Sequence, residues 1–318
     1  LLIYISKVKV NTNMTIFDNY HTENIECPII KTVFSFLPMK YLYSKLQQYG
    51  LCKSLTNFDF DNKTVTLITG GANGLGSELV KKLLTKPCKK IIIVDIVPPT
   101  PEYLNNPKLL FLKYDISDEQ QVKKLYDRVI AEFGYLTVLI NNAGKTNIET
   151  IFTAEDHQID SIMNINFLGP FYLTSLFLPH MLENMIGCVV NVSSILGETT
   201  PARLSTYGAS KATLTAFHKM LTHQISKTSG CNVNTVLVCP GKLETKMFEV
   251  VSTPSKLLAP DVDPSKLSEE IVVAIENNRP CIIRRPYYTN LLPVYKSLDW
   301  PFMWLIKHFS GMNRVTAL

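Results

Sequence analysis

The sequence predicts an α/β fold: a single doubly wound domain on a parallel sheet of about seven strands, with helices on both faces. Three observations carry this expectation. Short, β-branched, nearly all-apolar runs recur from residue 64 onward, and amphipathic stretches of helical length separate them. The runs lack polar alternation, the signature of strands buried on both faces, as in parallel sheets. The first run leads directly into a cluster of glycines.

In order, the runs are TVTLIT (64–69), KIIIVD (90–95), LLFLKY (109–114), LTVLIN (136–141), CVVNVS (188–193) and VNTVLVC (233–239), with CIIRR (281–285) as a seventh. Between the third and fourth, SDEQQVKKLYDRVIAEF (117–133) opens with a serine and acids in its first turn, as a helix start should. Residues 1–60 are polar and aromatic without this rhythm and read as an N-terminal extension. Residues 61–286 form the domain itself, and 287–318 an aromatic tail. No internal repeat or low-complexity tract appears.

Bulk composition excludes several function classes. At 318 residues, 46% hydrophobic and 19% charged, the chain is globular, far from the disordered regime. A net charge of +5 without a long basic run or zinc-knuckle spacing gives no reason to expect nucleic acid or a metal. Seven cysteines without a CxxC pair suit a reducing, intracellular compartment. The sequence opens on Leu1, and LLIYISKVKV is too short to span a bilayer and lacks a cleavage pattern. No uninterrupted apolar run of about 18 residues predicts a spanning helix. Two segments, 28–46 and 285–309, are nevertheless suited to lie on a membrane surface.

The first strand runs into TGGANGLGSELVKKLL (69–84), where four of the chain's 14 glycines fall within seven residues. Glycine at a strand-to-helix junction permits positive φ and lets a pyrophosphate approach the backbone at a helix N-terminus. No Lys-Ser/Thr closes the motif, which excludes a P-loop. Asp95 ends the second strand, where a carboxylate can bond the ribose hydroxyls of a dinucleotide and repel a 2′-phosphate. No Arg or Lys lies within the glycine loop to offset that repulsion, so NAD(H) is expected over NADP(H).

Further along, STYGASK (205–211) places Tyr207 and Lys211 one helical turn apart. The same spacing recurs at Tyr41/Lys45 and Tyr49/Lys53, and chance alone predicts about one such pair, so spacing by itself ranks none of them. The context does. Gly70, Gly74 and Gly76 in Gly-x-x-x-Gly-x-Gly spacing, NNAG (141–144), NVSS (191–194), YGASK (207–211) and PG (240–241) occur together in one order. This set, covering about residues 61–286, resembles the short-chain dehydrogenase/reductase family in its shorter, non-extended branch.

The resemblance implies a Rossmann-type domain and an oxidoreductase acting on CH–OH groups with NAD or NADP. Tyr207 would be the general acid/base. A free tyrosine pKa near ~10 makes a poor base, and the Lys211 ammonium is expected to lower it. Lys211 would also hold the nicotinamide ribose. Ser194, thirteen residues before Tyr207, would hold the substrate oxygen, with Ser193 set aside because side chains alternate along a strand. Asn166 in NINFLGPF matches the family asparagine that positions a relay water behind the lysine, and Asn164 competes with it. The cofactor would be lined by Gly70, Asn73, Gly74, Leu75 and Gly76, by Asp95, and by Asp115 with Ile116 at the adenine. Asn142, Ala143, Gly144, Pro240, Gly241, Leu243 and Thr245 would complete the lining. Lys145 follows NNAG where an apolar residue is common and reads as a surface lysine.

The segment 242–264 would shape the substrate cavity, and its mixed, apolar composition suggests a lipophilic alcohol or ketone. The tail LLPVYKSLDWPFMWLIKHFSGMN resembles that of the membrane- and lipid-droplet-associated subgroup containing retinol and 17-beta-hydroxysteroid dehydrogenases. Its Trp300, Phe302, Trp304, Leu305, Ile306 and Phe309 would either anchor at a lipid or endoplasmic-reticulum surface or cover the protein's own core or a homodimer or homotetramer interface. The competing readings are a soluble NADPH-dependent carbonyl or 3-oxoacyl reductase, and a catalytically silent cofactor-binding protein of lipid surfaces.

Overall fold

The computed structural model of the protein describes residues 57–150, 152–199, 203–228, 232–245 and 260–292, with 247, 251–252 and 316–317. The chain divides into two compact units, Leu1–Ser54 and Leu55–Leu318, and the described residues all belong to the second. The segment 28–46, the tail residues Trp300, Phe302, Trp304, Leu305, Ile306 and Phe309, and most of 246–259 lie outside the described residues.

Seven strands form one sheet: β1 (Val65–Thr69), β2 (Lys90–Asp95), β3 (Leu109–Lys113), β4 (Val138–Asn141), β5 (Ile186–Val192), β6 (Asn232–Pro240) and β7 (Cys281–Arg285). Their order is β3-β2-β1-β4-β5-β6-β7, and every pairing is parallel. The direction of winding reverses between β1 and β4, opening a crevice at the carboxyl ends of the strands. Among the described residues the α-helices are α1 (Gly74–Leu84), the short α2 (Pro101–Leu104), α3 (Glu119–Phe133), α4 (Asp156–Met163), α5 (Gly169–Glu183), α6 (Ser205–Ser226) and α7 (Pro264–Glu276).

The strand period of two sends alternate residues into two cores. Ile91 and Ile93 of β2 face one with Leu79 and Leu83 of α1 and Leu267, Ile271 and Ile275 of α7. Ile92 and Val94 face the other with Val122, Leu125 and Val129 of α3 and Leu173, Phe177 and Met181 of α5. Both faces of the sheet are thus covered, which is why the strands read as continuous apolar runs. Phe58 and Phe60 join the first core in an edge-to-face pair 5.3 Å apart, and the Phe58 N–H donates to the Glu276 carbonyl at 2.9 Å. The packed domain therefore reaches back past residue 61. α3 is capped by Asp118, whose carboxylate accepts the N–H groups of Gln120 at 2.8 Å and Gln121 at 3.3 Å, and stops at Gly134 with φ +80°.

A π-turn, Asn164–Leu168, joins α4 to α5, so that Asp156–Glu183 runs as one helical stretch. It is long and apolar enough to cross a membrane by length and composition, which a search for uninterrupted apolar runs passes over. Here its Leu173, Phe177 and Met181 are buried against the sheet.

A polar ladder crosses the sheet beneath the crevice. Asn141 and Asn191 are register partners on β4 and β5. The Asn141 amide donates to Thr174 Oγ1 at 3.2 Å and to Asn191 Oδ1 at 2.8 Å, and Asn191 Nδ2 meets His218 Nδ1 of α6 at 3.1 Å. All four side chains are buried. Burial pushes the His218 imidazole down to about 4. The unfolded chain takes up a proton below about pH 6.5 that the fold refuses, so this contribution to stability is present above that pH. We predict a loss of up to roughly 3 kcal/mol as pH falls from about 6.5 to about 4, flattened in His218→Gln. Urea denaturation at the two ends of this window measures it; parallel pH dependence in both proteins would refute it.

Candidate active site

The turn from β1 into α1 lies against the end of β4. Gly70 has φ +65°, and a Cβ there would stand 2.8 Å from the Ala143 Cα. Gly74 has φ +54°, with Thr245 Cγ2 3.2 Å from where a Cβ would be. A Cβ on Gly76 would stand 2.1 Å from the Gly70 carbonyl oxygen and 2.7 Å from Asn142 Nδ2. Gly76 is therefore a packing residue that lets α1 approach its own turn, and it does not line the cavity. The Asn142 amide donates to the carbonyls of Thr69 and Gly70, both at 3.0 Å, and Thr69 Oγ1 accepts the N–H groups of Asn142 and Ala143 at 3.0 and 3.1 Å. α1 begins without a side-chain cap and without an acid in its first turn, leaving its N-terminal N–H groups open to an anion.

A cavity of about 1140 Å³ extends from this turn along the strand ends. Gly70, Asn73, Gly74, Leu75, Asp95, Asp115, Ile116, Asn142, Ala143, Gly144, Tyr207, Lys211, Pro240, Gly241, Leu243 and Thr245 all border it. The glycine turn, the Asp95 carboxylate and the Tyr207/Lys211 pair thus border one cavity, and these residues fit a dinucleotide. Asp95 Oδ2 accepts the Ala72 N–H at 3.1 Å and Oδ1 the Val97 N–H at 3.2 Å. Asp115 Oδ1 accepts from the Ser117 N–H at 2.9 Å and hydroxyl at 2.7 Å.

The first turns of α6 carry Tyr207 and Lys211 inward, both buried. Ser194 hydrogen-bonds to the Tyr207 phenol. Its Oγ also accepts the Leu196 N–H at 3.1 Å, capping the 3-10 turn Ile195–Gly197, and donates to the Pro240 carbonyl at 3.3 Å. Ser193 borders the cavity and Ser194 does not, but the Ser193 hydroxyl is committed to α6, bonding the Lys211 carbonyl at 2.9 Å and Thr215 Oγ1 at 2.8 Å. Lys211 Nζ donates to the Val192 carbonyl at 2.9 Å and stands 5.9 Å from the centre of the Tyr207 ring.

Burial pushes the Tyr207 phenol up to about 12, and the Ser194 hydrogen bond only partly offsets it. This corrects the expectation that Lys211 holds the phenol below its usual value. Burial also lowers Lys211 itself to about 8, and the amine is committed to a backbone carbonyl beside the ring instead of to the phenolic oxygen.

Asn166 occupies the π-turn, fully buried. Its Oδ1 accepts the Lys145 N–H at 2.8 Å, and its Nδ2 donates to the Lys145 carbonyl and to Ser210 Oγ, both at 2.9 Å. It thereby ties the chain after β4 to α6. A Cβ on Gly144 would lie 3.3 Å from Asn166 Oδ1 and 3.4 Å from Lys211 Nζ, so the three meet at one point. Neither Asn164 nor Asn166 borders the cavity, whereas Ile165 between them does. The Lys145 side chain leaves the site and donates to Ser161 Oγ at 2.9 Å. Sequence reasoning missed Thr69 and Ser210, whose hydroxyls work only through contacts distant in the chain.

The short chain dehydrogenase family pattern matches residues 64–256, and the chain belongs to that family of oxidoreductases acting on CH–OH groups. Among its relatives, an uncharacterized oxidoreductase of Saccharomyces cerevisiae is 41% identical over 256 residues, covering 79% of this chain and 83% of that one. Estradiol 17-beta-dehydrogenase 11 of Macaca fascicularis is 30% identical over 219 residues, covering 67% and 70%. A short chain dehydrogenase/reductase from Burkholderia phymatum, solved in complex with NAD, shares the fold with TM-score 0.65 at 21% identity over 75% of this chain and 94% of that one. One from Burkholderia cenocepacia, solved with NADP, gives TM-score 0.65 at 21% identity over 79% and 99%.

Proposed function

We propose that the chain is an NAD(H)-dependent oxidoreductase interconverting a lipophilic alcohol and its ketone or aldehyde, with Tyr207 as general acid/base. One observation carries the reading. Tyr207, bonded to Ser194, and Lys211 stand in the wall of the same cavity that Asp95 and the glycine turn border. The nicotinamide, when bound, supplies or takes the hydride at the substrate carbon.

The residues of the chain do the rest. Ser194 holds the substrate oxygen beside the Tyr207 hydroxyl, and Tyr207 moves the proton to or from that oxygen. Lys211, as the ammonium, offers the positive charge that a phenolate needs, and Asn166 fixes the backbone on which Lys211 and Gly144 meet. Gly70, Asn73, Gly74 and Leu75 present the pyrophosphate cradle, Asp115 and Ile116 the adenine edge, and Asn142, Ala143, Pro240, Gly241, Leu243 and Thr245 the nicotinamide half. Asp95 selects the unphosphorylated ribose, since a 2′-phosphate beside its carboxylate is repelled. Ile165, Leu243 and Met247 give the cavity apolar wall, and the likeness to an estradiol dehydrogenase supports a lipophilic substrate.

Tyr207→Phe is expected to lower kcat for alcohol oxidation by about 10²–10⁴-fold, measured as NADH formation; near-normal turnover would remove the mechanism. Asp95→Asn is expected to narrow the NAD-over-NADP ratio of kcat/KM by about tenfold or more, as the loss of one charge repulsion implies. A wild-type preference for NADP would favour the carbonyl-reductase reading instead. We further propose that residues 287–318 hold the enzyme at a lipid surface. Deleting them should abolish sedimentation with liposomes, and unchanged partitioning would refute the anchor.

A further inference from the structure

A buried ion pair ties the turn that follows β5 to the last strand of the sheet. Arg284 Nη2 on β7 donates to Glu198 Oε1 at 2.8 Å, and the two side chains are 13% and 4% exposed. Glu198 ends the 3-10 turn Ile195–Gly197 that Ser194 caps, and its N–H donates to the Ile195 carbonyl at 2.9 Å. The turn is a wedge between two parts of the site. Gly197 lies flush on α6 at Lys211 and Ala212, and Ile195 Cδ1 comes within 3.5 Å of where a Cβ on Gly241 would stand.

These contacts close into a ring that contains Ser194. Arg284 and Arg285 are the register partners of Cys239 and Pro240 on β6, and the Arg285 carbonyl accepts the Gly241 N–H at 2.7 Å. The Pro240 carbonyl accepts the Ser194 hydroxyl at 3.3 Å. Ser194 Oγ in turn accepts the Leu196 N–H at 3.1 Å, and the turn leads back to Glu198. The other links in this ring are backbone groups and a hydroxyl, so the ion pair is its charged member. Such a pair adds little stability over apolar side chains of the same volume, because desolvation offsets its attraction. What it supplies is geometry, since a buried charge-assisted bond tolerates little displacement. Geometry matters here, because misplacing a reacting group by about 1 Å costs rate by up to about 10²-fold.

We propose that Glu198 and Arg284 are positioning residues: their ion pair closes the ring and fixes the Ser194 hydroxyl against the Tyr207 phenol. Neither side chain borders the cavity, so both act through the turn and not on substrate or cofactor. The inference rests on the role of Ser194 in the reading above and adds the two side chains that hold it in place.

The test is a double-mutant cycle in the full chain, with NAD and a secondary decanol as probes. Turnover is referred to the number of NADH-binding sites, counted by fluorescence titration, so that unfolded protein does not enter kcat. Glu198→Ala should lower kcat about tenfold or more, while the NADH dissociation constant changes by less than about twofold. In a Ser194→Ala background the same substitution should cost less than about a further twofold, because the group it positions is already gone. Arg284→Met should behave as Glu198→Ala does. Glu198→Gln keeps an acceptor for the guanidinium and should lose only about threefold; it takes the place of the alanine variant in the cycle if that protein does not bind NADH. Unchanged kcat, losses that multiply in the Ser194→Ala background, or NADH affinity falling in step with kcat overturns the proposal and leaves the alcohol chemistry standing. Wild-type kcat in Ser194→Ala, or no oxidation of the decanol by the wild type, overturns the reading above together with the proposal.

Discussion

The site depends on the burial of one cation. Lys211 is 3% exposed, and its ammonium donates to the Val192 carbonyl at 2.9 Å. The surrounding chain is arranged to keep the helix carrying it close to the sheet. A Cβ on Gly197 would stand 2.7 Å from the Lys211 carbonyl carbon and 2.8 Å from the Ala212 nitrogen, so the serine turn lies flush on α6. The Ser193 hydroxyl bonds the Lys211 carbonyl from the sheet, and Ser210 receives the Asn166 amide from the other side. A displacement of α6 by the width of a methyl group would break these contacts and carry Tyr207 away from Ser194.

One short segment joins the glycine turn to this helix. Asn141 belongs to the buried ladder reaching His218, Asn142 clamps the Thr69 and Gly70 carbonyls, and Gly144 lies against Lys211 and Asn166. Asn166 then holds both backbone groups of Lys145. The π-turn that presents Asn166 breaks the regular α-helical spacing between α4 and α5, as π-bulges do at functional sites. Residues 141–145 thus tie the glycine turn to the helix that carries Tyr207 and Lys211.

The sheet was legible because each strand is buried on both faces, leaving runs such as KIIIVD that no helix pattern explains. Tyr207, Lys211 and the glycine turn were legible through motif order, since their spacing alone recurs at Tyr41/Lys45 and Tyr49/Lys53. Strand parity alone did not settle the two serines: Ser193 borders the cavity while its hydroxyl bonds α6, and Ser194 bonds the Tyr207 phenol. What escaped was tertiary. Phe58 and Phe60 join the core from a segment without periodicity, NINFL reads as ordinary helix, and the ladder from Thr174 to His218 links four separate elements. The phenol's upward shift was also invisible, because burial depends on packing that no local pattern records.

That shift bears on how the site can work. Burial pushes Tyr207 up to about 12 and Lys211 down to about 8, so the fold favours the neutral form of each. Reaction as a base asks for the opposite pair, a phenolate beside an ammonium. The linkage signs agree with this conflict. Lys211 favours the fold increasingly as pH rises from about 8 towards 10.5, where the unfolded chain still holds the proton, whereas Tyr207 favours it below about 10 and loses that contribution as pH climbs towards 12. The protein by itself therefore opposes charge separation in its own site.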